Sequence, residues 1–131
     1  MTTTQIITQM IAYHHEANPR LWQLIEPLGD AVFCRESNYS LGSIRNHMVH
    51  LTSVDAGWLN GLCGNPRESF VWLDANDFPT IAMAKVRAEQ GMIDLAQQVA
   101  GWNDDDLAQV PPGMHETHWQ VLVHLTTHGV D

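Results

Sequence analysis

Basic residues are scarce in this chain: six Lys and Arg stand against fifteen Asp and Glu, a formal net charge of −9 over 131 residues. A surface of that sign repels phosphate backbones and anionic lipid, and no Lys/Arg stripe relieves it, so neither nucleic acid nor a membrane surface is expected as a partner. Long apolar runs are missing too, since no segment approaches the roughly 20 residues needed to span a bilayer. The start, Met-Thr-Thr-Thr-Gln, has neither the basic beginning nor the apolar run of a signal peptide. Cysteine is limited to Cys34 and Cys63, without a Cys-Xaa-Xaa-Cys spacing. That usage fits reduced thiols and a cytoplasmic protein better than a disulfide framework. The chain also lacks a Gly-Xaa-Ser-Xaa-Gly elbow, a phosphate-binding glycine loop and a dinucleotide fingerprint. Period-2 strand patterns flanked by hairpin turns are absent, which removes the β classes.

Helical periodicity is what remains, in four segments. The first runs from about Thr4 to Leu28, with Ile7, Met10, Ile11, Leu21, Leu24, Ile25 and Leu28 at three- and four-residue steps and a threonine among Thr2, Thr3 and Thr4 as N-cap. Pro19 lies inside this pattern and predicts a kink near His15–Asn18 or a break into two pieces. The second segment follows Ser40, runs to about Leu62 and is stopped by Gly64-Asn65-Pro66. The third runs from Thr80 to about Trp102, where Asn103-Asp104-Asp105-Asp106 reads as a solvated helix stop. The fourth begins near Glu116 or Thr117. One domain spanning residues 1–131, an all-α four-helix bundle with long connections and a short fourth helix, is the predicted architecture. A fourth helix from Thr117 to Asp131 covers about two-thirds of the ~33 Å of its neighbours. The uncovered apolar stripe predicts a homodimer, with the last turn frayed from about Gly129.

Eight histidines are present, and for most of them a solvated, capping or half-buried role is the simpler reading. His14 and His15 are adjacent, so at most one faces the interior. His115 and His118 flank the start of the fourth helix. His47 sits beside His50 as a bundle-edge residue or a partner to it. His50 itself lies on or beside the stripe of Met48, Leu51, Val54 and Trp58, where a lone imidazole is ordinarily a satisfied core histidine. His124 and His128 shift that balance. Spaced i, i+4, they share one helical face, where two imidazoles can converge on one metal ion and a third from a neighbouring helix leaves positions open for water or substrate. Asp55 reads as helix surface, and the two thiols as inert.

Three separated stretches resemble the DinB/YfiT-like superfamily. Met10 to Leu21, Met-Ile-Ala-Tyr-His-His-Glu-Ala-Asn-Pro-Arg-Leu, looks like its first-helix signature. Ser-Leu-Gly-Ser-Ile-Arg-Asn-His-Met-Val-His-Leu, followed by Asp55 and Trp58-Leu59, resembles its second helix, in which a metal-ligating histidine precedes a tryptophan by eight residues. Trp119-Gln-Val-Leu-Val-His-Leu-Thr-Thr-His-Gly-Val-Asp131 is similar to the opening of its last helix. The resemblance implies a four-helix bundle holding a divalent metal ion (zinc, nickel or iron) through three histidines. It further implies a metal-dependent transferase acting on low-molecular-weight thiols or their adducts. The family's last helix reads His, three residues, His-Arg-Gly-Gln. Carried over residue by residue, that assigns His50 and His128 as ligands, and the partner of His128 would fall at the position after Asp131. His124, one turn earlier on the same face, is the substitute. The competing expectation is a non-catalytic, dimeric helical interaction module with an incomplete metal site.

Overall fold

The computed structural model describes residues 2–128, the side chain of His128 excepted. Helix α1 spans Thr3–Ile25. Thr2 caps it: its hydroxyl accepts the Gln5 N–H at 3.1 Å while the Gln5 amide oxygen accepts the Thr2 N–H at 2.8 Å. The helix runs through Pro19 without the break that its position suggested. Proline removes one backbone donor, whereas the buried His14, Trp22 and Ile25 on either side anchor the helix to the core. α1 stops short of the expected Leu28: Glu26 keeps helical geometry, but Pro27 has no N–H with which to continue the hydrogen-bond ladder. A 3-10 turn, Glu26–Leu28, follows, and Gly29 at φ 81° leads into an unexpected short helix α2, Gly29–Cys34.

Helix α3 spans Ile44–Leu62, capped by Ser43, whose hydroxyl accepts the Asn46 N–H at 3.0 Å. Helix α4 spans Ile81–Val99 with Thr80 as its cap, and the Asp30 carboxylate accepts the Ile81 N–H at 2.9 Å, fastening α2 to the start of α4. The acidic run read as a solvated stop instead forms a one-turn helix, α5, Asp104–Leu107. Asn103 and Asp106 cap each other's N–H groups at 2.9 and 3.0 Å. Asp104 reaches across to α1, where its carboxylate accepts the Thr4 N–H at 2.9 Å and the Thr4 hydroxyl. These bonds hold the Asp104 carboxyl below the ordinary carboxylate range. Carboxylates at a helix start suit the positive end of its dipole, which is why three successive aspartates can open a helix here. Helix α6 spans His118–His128. The fraying expected from Gly129 lies outside the described residues.

The four long helices, α1, α3, α4 and α6, form the expected all-α bundle, and among the described residues there is no strand. Its core has two parts. At one end Ile7 and Ile11 of α1 pack with Leu62 of α3, Leu95 of α4 and Val121, Leu122 and Leu125 of α6. At the other, Trp22 and Ile25 meet Phe33, Met48 and the start of α4 at Ile81, Ala84 and Ala88. These pairings, with His118 at the start of α6 set on Asp106 and on Trp102 just beyond α4, fix the directions: α1 and α6 run one way, α3 and α4 the other. No described helix is long and apolar enough to cross a membrane.

Candidate functional site

Between the two parts of the core lies a cavity of about 70 Å³, walled by all four long helices. Its apolar lining includes Met48, Leu51, Met92 and Leu125, and its polar lining His14, Asn18, Thr52 and Asp55. His14 is 7% exposed. Its Nε2 lies 3.6 Å from Asp55 Oδ2, within ion-pair range but too long for a hydrogen bond. Asn18 Oδ1 is sealed from solvent with no hydrogen-bond donor. Thr52 has spent its hydroxyl hydrogen on the Met48 carbonyl at 2.8 Å, so it can offer the cavity only lone pairs. Next to His14, the ring of His15 is half-buried with its Nε2 sealed and unpartnered. Burial, reinforced by His14, pushes the His15 imidazole below its ordinary pKa.

Helical phase could have located this interior pair. Ile7, Ile11 and His14 follow one another at steps of four and three, as do Leu51 and Asp55 after Met48 at three and four. Asp55, expected on the surface, therefore turns inward, and His14 is the member of the His14–His15 pair that faces the core.

His50 points the other way. Met48 and Val49 take the buried positions, leaving His50 exposed, with its ring stacked on Trp72 at 6.3 Å and 6°. The segment carrying Trp72 lies across α3: the Leu73 N–H donates to the buried Ser53 hydroxyl at 2.9 Å, and Phe70 meets Trp72 edge-on at 5.5 Å. Phe70 also packs so closely on Gly57 that a Cβ there would lie 3.2 Å from its ring. The place expected for His50 on the apolar stripe is thus corrected by the helix phase and by this overlying strap.

His124 is likewise an outer residue. Its side chain is 58% exposed, its Nε2 lies 3.1 Å from Glu116 Oε2, and its ring stacks on Trp58 at 5.9 Å and 3°. Trp58 stands two turns beyond His50 on α3, about 12 Å along the axis at the α-helical rise. His50 and His124 are therefore not brought together. Because α6 is antiparallel to α3, the backbone at His128 is one turn nearer the level of His50. The side chain of His128 lies outside the described residues. Among the described residues no three His, Cys, Asp or Glu side chains converge to hold a metal ion. His118, read as a capping or turn residue, ties α6 to α5 instead: its Nδ1 lies 2.8 Å from the Asp106 carbonyl, and its ring stacks on Trp102 at 4.3 Å.

An all-α bundle with this helix order, an aromatic-lined outer face on α3 and a largely apolar cavity between the helices defines the structural class. A family model described as DinB family matches residues 1–130, nearly the whole chain. The chain belongs to the DinB family. No curated protein matches it.

Proposed function

We propose that this DinB-family protein binds a divalent metal ion (zinc, nickel or iron) in the groove between α3 and α6, through His50 and His128, and serves as a metal-dependent transferase for low-molecular-weight thiols or their adducts. The observation that carries the reading is the antiparallel register of the two helices. With Trp58 and His124 stacked level with each other, each turn along α6 toward His128 moves toward the level of His50. His124 completes the set least well, since Glu116 holds its Nε2 and the register leaves it farthest from His50. When bound, such an ion supplies Lewis acidity and lowers the pKa of a coordinated thiol or water. The chain's own contribution is orientation. Trp72 holds the His50 ring in one plane, and the Ser53–Leu73 hydrogen bond holds the strap that carries Trp72.

Elemental analysis of untagged protein, followed by metal titration of variants, tests the reading. His50→Ala and His128→Ala should each lower affinity by about tenfold or more, at least the cost of losing a ligand's hydrogen-bond partner, with helical circular dichroism retained. The exposed His115→Ala serves as control. Affinity unchanged in His50→Ala removes the assignment.

A second reading, a non-catalytic dimeric interaction module, is favoured by a separate observation: Tyr13 and Leu24 on α1 and Val86 on α4 are 64%, 74% and 64% exposed. Sedimentation at micromolar concentration distinguishes the two, with a metal-free dimer supporting the module and a metal-loaded monomer excluding it.

A further inference from the structure

The cavity between the helices has polar chemistry that the metal reading does not use. Two of its groups offer lone pairs: the Thr52 hydroxyl hydrogen is committed to the Met48 carbonyl, and the Asp55 carboxylate accepts only. The His14 imidazole stands 3.6 Å from Asp55 Oδ2 without bonding it. Acceptors left without a donor retain their desolvation cost, so this arrangement favours an occupant that donates. The volume of about 70 Å³ exceeds the roughly 10–15 Å³ that one water requires. An occupant can therefore also carry a short apolar body against Met48, Leu51 and Met92. Arg87, whose Nη1 lies 3.5 Å from where a Cβ on Gly91 would sit, is not among the lining residues.

We infer that this cavity is a binding site for a small aliphatic primary amine in its ammonium form. An ammonium group presents three donors and no acceptor, matching the acceptors of Thr52 and Asp55. Its charge is compensated by the Asp55 carboxylate, which is 28% exposed and so stands where the ligand enters. The alkyl body lies on the apolar wall. His50 does not line the cavity: it is exposed against Trp72, whereas Asp55 turns inward.

Titration of the whole chain with n-propylammonium, followed by the methionine methyl resonances of NMR spectra in the presence of a metal chelator, tests this directly. n-Propanol and propionate are the same-sized controls. The amine should shift the Met48 and Met92 methyls and bind about tenfold or more tightly than the alcohol, the margin of a charge-assisted hydrogen bond. Asp55→Asn should remove that preference while n-propanol still binds. Should Asp55→Asn fail to fold by circular dichroism, Asn18→Leu, which changes a lining side chain to a bulkier apolar one, should abolish the methyl shifts. Propionate binding as well as the amine, an undiminished amine preference in Asp55→Asn, or unchanged methyl shifts in Asn18→Leu would each overturn the assignment. Because the chelator is present throughout, failure here leaves the metal proposal to its own test.

Discussion

Helix α3 has two faces with opposite chemistry. Inward, Met48, Leu51, Thr52 and Asp55 line a cavity with His14. Outward, His50 lies flat on Trp72 and Trp58 lies flat on His124, both histidines exposed. The same kinds of side chain, an imidazole near a carboxylate, occur on both sides: His14 beside Asp55 within, His124 beside Glu116 without. Water makes the difference. Outside, solvent screens the pair and satisfies whatever hydrogen bonds the protein leaves unmade, so such contacts add little. Inside, every unmatched donor or acceptor retains its desolvation cost, so the polar groups constrain what can occupy the space.

The sharpest way to break this comparison uses two adjacent residues of α6. Leu125 is 1% exposed and lines the cavity, so Leu125→Ala should cost about 2–5 kcal/mol in unfolding free energy from urea titration. His124→Ala, one position away on the outer face, should cost less than about 1 kcal/mol. Equal costs would mean that the outer stack on Trp58 carries structure as the core does.

A smaller effect sharpens the inner side by pH. His15 has its pKa lowered by burial and by His14, so the folded state holds this ring neutral more strongly than the unfolded state does. Its contribution is present above the ordinary histidine value of 6.5 and is lost as pH falls through the lowered folded value. Stability should therefore decline on acidification below about pH 6.5, and His15→Leu should flatten that slope in thermal melts. A slope unchanged by the substitution would place the buried titration elsewhere.

The smallest expected effect belongs to the exposed tie between α5 and α1. The hydroxyl and N–H of Thr4 hold the Asp104 carboxyl below its ordinary pKa. Its contribution is thus present above the unfolded carboxylate value, about pH 4, and fades as pH drops below it. Asp104→Ala should melt at a lower temperature than the parent at neutral pH, and the gap should close in acid. A gap that persists once the carboxyl is protonated would assign the effect to helix capping alone.

Much of the fold was legible because its signals are local. Thr2, Ser43 and Thr80 cap helices where their hydroxyls stand just ahead of apolar periodicity, and Gly64-Asn65-Pro66 follows the end of α3. The interior pair was present in the same periodicity, since His14 and Asp55 fall on the stripes of Ile11 and Leu51. Polarity argued against placing either residue inside, and only the packing of α1 against α3 brings the two within ion-pair range. Other features depend on residues far apart in the chain. Asp104 caps Thr4 from the opposite end of the sequence, and the strap carrying Trp72 is set on α3 by Ser53.

The sequence by itself determined an all-α bundle, its principal helix starts and membership of the DinB family, because caps, helical period and family motifs are written in short stretches. The tertiary structure alone decided that His50 faces outward, against the segment carrying Trp72. On α3 a difference of five positions turns a side chain by well over a third of a revolution. Which direction is interior depends on where α1, α4 and α6 settle, and on the loop that closes over the remaining face. Spacing on one helix shows that His124 and His128 share a face. Only packing between helices sets the level at which that face meets His50.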